Sequence, residues 1–437
     1  MSFTLQQILA LAPDDSSAKA GMQLANPSKW LVRRIHPLAL WGECQGSGSK
    51  PYKTSIDLTN IAFKCSCPSR KFPCKHGLGL LLLYADKAEL FANESVLPQE
   101  IEEWINKRGA TIEAKVQAVK KPVDEDAQQK RIAQREQKIL NGIEELQMWI
   151  KDIVRGGLIH IQPHSYSFAS NIIARMVDSQ APGLAYQLRK INSINFFDAG
   201  WQREFIRLLS ILYILCEGYK RKGVFSPQLQ ADLETLIGWT KTKEEVLQGE
   251  SVRDVWLVLS TVAVQEDALI SETTWLYGRQ TQRFAYIQSH YTASTKPMDV
   301  LLPGASIDAD LVFYPGSIPM RCIIREQRNQ TETAILAHIG ITSIESLKDH
   351  VADVLTLAPF TDRIPVLFST MKITPDNGRW FIKDGSGFGF ELSNSPHECW
   401  KMLSISRGQE FSFFGLYTNE SIVVHSLWMD QKYYTLL

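Results

Sequence analysis

Three cysteines and one histidine crowd into one short segment of this chain, KCSCPSRKFPCKHG, which begins at Lys64. They are Cys65, Cys67, Cys74 and His76, and their spacing is Cys-x-Cys-x6-Cys-x-His. Thiolate sulfur and imidazole nitrogen are ligands that Zn²⁺ prefers, and structural zinc sites take four protein ligands in a tetrahedron. Because side chains fill all four positions, no position stays open for water. The pattern therefore predicts a structural zinc site and not a catalytic one.

The residues around the cluster indicate how it closes. Side chains two apart on a strand point to the same side, so a strand continuing from 52–63 would direct Cys65 and Cys67 toward one ion. Two prolines bound the loop that follows, and Cys74 and His76 then reach the start of an apolar helix. A redox pair is the alternative, but it more often has Cys-x-x-Cys beside a βαβ unit, and neither occurs here.

This arrangement resembles the SWIM zinc finger, in which the Cys-x-Cys-x(n)-Cys-x-His pattern has a strand before it and a helix after it. Three segments together resemble the bacterial SWIM zinc finger family proteins: GECQGSG with Pro51-Tyr52, CPSRKFPCKHGLGLLLL, and ARMVDSQAPGLA at 174–185. The resemblance implies the same four ligands and Zn²⁺ as the cofactor. SWIM domains bind nucleic acids or proteins. Members of this bacterial group are often encoded near MoxR-type AAA+ ATPases and von Willebrand A-domain proteins, which the resemblance implies as partners.

Charge is distributed unevenly, although the net charge of the chain is zero. The stretch 29–76 contains nine basic and two acidic residues, an excess of +7. Arg70, Lys71 and Lys75 lie on the predicted zinc loop beside Phe72. Basic side chains next to an exposed aromatic can hold a phosphate and stack a base, which makes DNA or RNA an alternative partner. They can equally offset the negative charge of three thiolates, and the sequence leaves both interpretations open.

Apolar periodicity and turn residues predict a multidomain α+β protein. The expected parts are an N-terminal domain at 1–110, with a small zinc module (β-hairpin plus helix) at about 50–85, a charged linker or exposed helix at 111–137, a helical domain at 138–250 and a mixed, mostly β region at 251–437. No internal sequence repeat is apparent.

The chain contains no serine elbow, no P-loop and no convincing acid–base pair, so we expect no enzyme and no small-molecule substrate. The segment GSGFG at Gly385–Gly389 superficially resembles a dinucleotide-binding loop. It lies between two predicted strands and does not open a helix, which favours a hairpin. An enzyme with an unrecognised C-terminal site is a further alternative. The sequence thus predicts a non-catalytic protein-interaction or adaptor protein.

The N-terminus, MSFTLQQILALAPDD, has no basic region ahead of its apolar residues, unlike a secretory signal. The densest apolar run, Leu78–Ala85, is far shorter than the roughly 20 residues that span a bilayer. We therefore expect a cytoplasmic protein without a membrane partner.

Overall fold

The computed structural model describes residues 5–9, 11–46, 50–59, 61–69, 71–107, 125–158, 161, 168–266, 269–292, 300–331, 339–418 and 421–436. Within these ranges the predicted α+β fold is confirmed. A strand-rich N-terminal region contains the cysteine cluster, helices form the middle of the chain, and β-strands dominate the C-terminal region.

The N-terminal region combines one sheet with helices. Its helices are α1 (Leu5–Leu9), α2 (Asp15–Leu24), α3 (Lys75–Asp86) and α4 (99–107). Its strands are β1 (Trp30–His36), β2 (Ala39–Cys44), β3 (Tyr52–Asp57), β4 (Ala62–Cys65) and β5 (Ala92–Asn93), in the order β4-β3-β2-β1-β5. The predicted β-hairpin plus helix is β3, β4 and α3.

Two glycines let α3 approach its neighbours closely on both sides. A Cβ atom on Gly77 would lie 2.8 Å from Cδ1 of Phe63 on β4, and one on Gly79 would lie 2.7 Å from Cβ of Leu24 on α2. The helix is therefore in contact with the sheet on one side and with α2 on the other. Its leucines form the core between them, with Leu78, Leu80, Leu81 and Leu83 fully buried.

The middle of the chain is a bundle of helices. They are α5 (Glu125–Gly156), α6 (Ser170–Asp178), α7 (Pro182–Asn192), α8 (Trp201–Lys220), α9 (Pro227–Ile237) and the short α10 (Lys243–Val246). Arg175 of α6 pairs with Glu145 of α5 through two 2.5 Å contacts. Of the predicted linker at 111–137, residues 111–124 fall outside the described residues, and 125–137 belong to α5.

The C-terminal region contains eleven of the described strands and two helices. The strands are β6 (Ser251–Glu266), β7 (Leu269–Gly278), β8 (Phe284–Tyr291), β9 (Ser306–Phe313), β10 (Cys322–Thr331), β11 (Ile364–Asp376), β12 (Arg379–Lys383), β13 (Gly389–Leu392), β14 (Phe411–Thr418), β15 (Ser421–Met429) and β16 (Lys432–Thr435). The helices are α11 (Ile344–Leu357) and α12 (Pro396–Ser406).

These strands form two sheets whose first five strands are connected in the same way, and the second sheet has a sixth strand, β16, paired with β15. In the first, antiparallel pairing gives the order β10-β9-β6-β7-β8, and Tyr286 of β8 meets Arg321 beside β10 in a parallel bridge. In the second, β11 pairs with β12 and β14, and β13 closes the ring by running parallel to β15. This connectivity is that of an OB-type Greek-key barrel. The chain thus contains two such barrels in tandem, called here the first barrel and the second barrel.

The two barrels are joined by an apolar interface. Trp275 and Tyr277 of the first barrel pack against Phe414 and Trp428 of the second. Both the Ser426 hydroxyl and the Tyr433 hydroxyl donate to one backbone carbonyl of β6, at 2.6 and 3.2 Å. The outer face of β7 and β8 in the first barrel is therefore covered by the second barrel.

The N-terminal region also contacts the first barrel. The Gln7 side chain donates to the carbonyl of Pro303 at 3.2 Å, and Leu302 and Ala305 belong to the N-terminal core. Among the described residues, no helix combines the length and apolar character needed to cross a membrane.

Candidate metal centre

The four predicted ligands come together at the junction of β4 and α3. Cys65 is the last residue of β4, Cys74 is the N-cap of α3, and His76 lies in the first turn of that helix. Cys67 lies just beyond the strand. The expectation that both Cys65 and Cys67 occupy strand positions therefore holds only for Cys65, because β4 ends before the chain reaches Cys67.

The geometry of the cluster fits a tetrahedral metal ion. The candidate ligand atoms of all four residues lie within 4.8 Å of one another. His76 Nδ1 lies 3.8 Å from Cys65 Sγ and 4.0 Å from Cys74 Sγ. Zinc bond lengths of about 2.0–2.3 Å place tetrahedral ligand atoms roughly 3.6–3.8 Å apart. The donor set and its spacing therefore fit a zinc ion held by Cys65, Cys67, Cys74 and His76.

Neighbouring side chains fix the orientation of two ligands. The buried Thr54 hydroxyl lies 3.3 Å from Cys65 Sγ, and the Tyr52 ring lies 4.9 Å from the His76 ring. Both neighbours come from β3, the hairpin partner of β4. Contacts of this kind set the direction of metal ligands and are a usual part of metal sites. Neither Thr54 nor Tyr52 could be identified from the ligand spacing alone.

The sulfur atoms affect one another's protonation. A hydrogen bond with Cys74 lowers the pKa of the Cys65 thiol, and the same contact raises the pKa of Cys74. Burial raises the pKa of Cys67. Two neighbouring thiols that cannot both ionise easily are stabilised as thiolates by a divalent cation, which is the usual coupling between metal binding and proton release.

The residues predicted to contact nucleic acid have different environments. Lys71 forms a 2.8 Å ion pair with Asp14, the N-cap of α2, and this contact holds the pKa of the Asp14 carboxyl well below its usual range. Lys75 is exposed on the first turn of α3. Phe72 packs edge-on against Phe63, with ring centroids 6.1 Å apart. Arg70 lies outside the described residues.

Other cations of the basic stretch also have partners. Arg34 pairs with Glu94 at 3.2 Å, and the Lys64 ammonium lies 5.8 Å from the centre of the Trp104 ring. Arg33 donates to backbone carbonyls, including that of Pro27 at 2.7 Å. Asp14 and Glu94 lie outside the stretch 29–76, so acidic groups from elsewhere in the same domain compensate part of its positive excess.

The fold and the cluster together define a zinc-finger protein of the Cys₃His type. Residues 64–85 match the family model of the SWIM zinc finger, and residues 134–237 match that of the SWIM-associated four-helix bundle domain. The predicted SWIM finger is therefore confirmed, and the helical middle of the chain contains a domain associated with it. Comparison with curated proteins and with solved structures gives no match.

Proposed function

We propose that this chain is a zinc-binding, non-catalytic adaptor protein. Zn²⁺ held by the four ligands stabilises the N-terminal domain, this domain docks a partner protein, and the C-terminal barrels provide a second binding surface. The observation that carries this proposal is the closed ligand set, in which three sulfur atoms and one imidazole nitrogen lie within 4.8 Å. A zinc ion with four protein ligands has no position for a reacting water and acts structurally.

The contacts of the basic residues favour a protein partner over nucleic acid at the finger. A phosphate-binding surface needs cations that are free to approach the backbone. Lys71 is paired with Asp14, and Phe72 is packed against Phe63, which makes this ring a poor base-stacking platform. In contrast, the β1–β2 hairpin exposes apolar side chains, with 62% of Leu31 and 42% of Leu38 accessible. The core of a protein–protein interface is apolar, whereas interfaces with nucleic acid are more polar and more positively charged.

The partner is proposed from the family resemblance. It is a MoxR-type AAA+ ATPase or a von Willebrand A-domain protein, of the kind often encoded near bacterial SWIM zinc finger proteins. The test mixes the full-length zinc-loaded protein with each candidate partner from the same genome and measures complex formation by size-exclusion chromatography with light scattering. Stable co-elution supports the adaptor function.

Substitutions locate the docking surface in the same experiment. Leu31→Ser should weaken the complex without changing the fold, because the side chain is mostly exposed. Val96→Ser, which changes a side chain that is 74% exposed, is the matched control and should leave the complex intact. A chain that stays monomeric and binds neither partner would contradict the proposal.

The alternative function is nucleic-acid binding through Arg70, Lys71 and Lys75. The observation that supports this alternative is the exposed side chain of Lys75. Labelled DNA and RNA should then bind in a salt-sensitive way, and the triple alanine variant should lose that binding. Absence of binding at low salt would contradict this alternative, and these residues would then only offset the negative charge of the thiolates.

A further inference from the structure

The first barrel is incompletely closed between its two edge strands. In the order β10-β9-β6-β7-β8, strands β8 and β10 meet in a parallel bridge between Tyr286 and Arg321. The N–H of Tyr286 donates to the carbonyl of Met320 at 2.7 Å. Both strands continue beyond this bridge, β8 to Tyr291 and β10 to Thr331, and within the described residues no further pairing joins them. We call the opening beyond the bridge the seam.

Backbone groups of both strands face the seam. Residues along a strand direct their N–H and C=O groups alternately to its two sides. Since the N–H of Tyr286 faces β10, the backbone groups of Gln288 face the same way. The carbonyl of Arg321 accepts the N–H of Tyr314 at 2.9 Å and so faces away from β8. By the same alternation, the backbone groups of Ile324 face β8. Strand edges of this kind are templates on which another extended segment can pair.

The seam lies outside the apolar interface between the barrels. Phe284 and Tyr286, at the start of β8, pack against the cluster that joins the two barrels. No described residue of β8 after Tyr286 belongs to that cluster. Gln288 is partly exposed and His290 is exposed. Two bulges also bend β10 within 324–329, where this strand would otherwise continue beside β8.

A cavity of about 120 Å³ lies in the seam. Its lining combines isoleucines of both strands, Ile287 and Ile324, with two cations, Arg321 of the bridge and Lys243 at the start of α10. Among the described residues, the lining contains no acidic side chain and neither cation has an ion-pair partner. The guanidinium of Arg321 lies 4.3 Å from the centre of the Tyr314 ring, which orients it. The cavity therefore suits a carboxylate on a short aliphatic stem.

The two sides of the cavity are held together by hydrogen bonds between the helical middle of the chain and the first barrel. The Asp232 carboxylate of α9 accepts the N–H of Ser317 at 3.0 Å, and the Arg325 guanidinium donates to the carbonyl of Gly249 at 2.6 Å. Lys243 is thereby kept beside β8 and β10. A site that is already formed loses less entropy when a ligand binds.

We propose that the seam binds an extended acidic segment of a partner protein by strand addition. The backbone of the segment pairs with the edges at Gln288 and Ile324, and one of its carboxylates enters the cavity between Lys243 and Arg321. In this mode of recognition backbone hydrogen bonds supply affinity, and pockets for alternate side chains supply specificity. The positive lining selects an acidic segment by charge complementarity. A free small anion would neutralise the cations but would leave both strand edges unpaired.

This inference deepens the proposed adaptor function and rests on it, because it places the second binding surface of the barrels at the seam. The test measures the fluorescence anisotropy of a labelled peptide, EVEVEVEV, with the full-length, zinc-loaded protein. This peptide should bind, whereas KVKVKVKV should not. N-methylation of its valines or of its glutamates keeps every charge but removes donors to one strand edge, so either change should weaken binding.

Substitutions connect the binding to the cavity. Arg321→Gln combined with Lys243→Gln should weaken binding about fivefold, the loss expected for two exposed ion pairs. Arg321→Lys keeps the charge and should bind more tightly than Arg321→Gln. The matched control, Lys241→Gln with Arg279→Gln, removes two exposed cations outside the cavity and should bind like the wild type. Urea midpoints of all variants show whether the fold is retained.

The proposal is overturned if EVEVEVEV does not bind at about 1 mM, or if KVKVKVKV or both methylated peptides bind as tightly. It is equally overturned if free glutarate displaces the peptide at equal concentration, which would make the cavity a site for small anions. The partner chromatography separates this result from the adaptor function. A wild-type complex that the Lys243 and Arg321 double variant forms equally well overturns the seam alone. Peptide binding without a complex supports the seam and contradicts the adaptor function with those partners.

Discussion

Lys71 Nζ lies 2.8 Å from Asp14 Oδ2, so an ion pair connects the zinc loop to the N-cap of α2. Asp14 also accepts the backbone N–H of Ser17 at 2.7 Å, so one carboxylate starts the helix and holds the loop. The two residues lie far apart in sequence, and the ligand spacing gives no indication of the contact. From the sequence, Lys71 can equally bind a phosphate or offset the negative charge of the thiolates. In the structure, its ammonium group is paired with a carboxylate of the same chain.

The Asp14–Lys71 pair predicts a kinetic effect on zinc. Because the pair tethers the loop between Cys67 and Cys74, Lys71→Gln and Asp14→Asn should each speed the transfer of zinc to a coloured chelator. The double variant should release zinc no faster than the faster single variant, since both changes remove one contact. Lys75→Gln is the control, and wild-type release from Lys71→Gln would show that the pair does not hold the loop.

Removal of one ligand should unfold the finger locally. Cys67→Ser is expected to lower the zinc content from one ion per chain to nearly none and to expose residues 50–85 to protease, because small metal modules draw folding free energy from the ion. Zinc analysis and limited proteolysis measure both effects, and the fragment containing α5–α9 should stay resistant. Cys399→Ala, which changes a buried cysteine of the second barrel, should keep its zinc. Full zinc content in Cys67→Ser would refute the ligand assignment.

The zinc site is the part of the structure that the sequence predicts best, because the chemistry itself fixes the ligand spacing. Cys65, Cys67, Cys74 and His76 are recognisable from residue type and separation alone. The turn at Asn377-Gly378 is similarly local, and both residues adopt positive φ between the paired strands β11 and β12. The loop at 384–388 joins the antiparallel strands β12 and β13, which confirms the hairpin interpretation of GSGFG.

The tandem barrels could not be predicted in the same way, because their closure depends on pairs distant in sequence. Strand β6 pairs with β9, across two intervening strands, and the parallel contact of Glu391 with Ser421 has no turn signal between the strands. The two barrels share connectivity but no recognisable repeat, since each position needs only an apolar or polar side chain of suitable size.

Glycines 77 and 79 did carry a local signal, because two glycines inside an apolar helix indicate close packing.

Gly79 predicts a substitution that acts against helix propensity. Alanine is favoured over glycine in a helix by about 1 kcal/mol, yet a Cβ here would lie 2.7 Å from Leu24 Cβ and 3.2 Å from the carbonyl oxygen of Gly21. We expect Gly79→Ala to destabilise the N-terminal domain by roughly 1–3 kcal/mol through overpacking. Gly156→Ala is the matched control, since nothing lies within 4 Å of its added Cβ, and it should be neutral or stabilising. Equal urea midpoints for Gly79→Ala and the wild type would contradict the tight contact between α2 and α3.

His425 predicts acid sensitivity of the paired barrels. Burial lowers its pKa to about 4, and its Nδ1 lies 3.3 Å from the Ser260 hydroxyl across the barrel interface. The unfolded chain therefore binds a proton near pH 6.5, whereas the folded chain binds it only near pH 4. The contribution of neutral His425 to the free energy of unfolding is therefore fully present above pH 6.5. It falls by up to about 3 kcal/mol as the pH drops from about 6.5 to about 4.

The acid sensitivity of His425 can be separated from other titrations by substitution. The urea midpoint, followed by tryptophan fluorescence because Trp275 and Trp428 lie in the same interface, should fall less between pH 7 and pH 4.5 in His425→Asn than in the wild type. The variant starts from a lower stability at pH 7, so the comparison uses the pH-dependent difference and not the absolute midpoint. His290→Asn changes an exposed histidine and should keep the wild-type pH dependence. If His425→Asn loses as much stability on acidification as the wild type does, another group limits the barrels in acid.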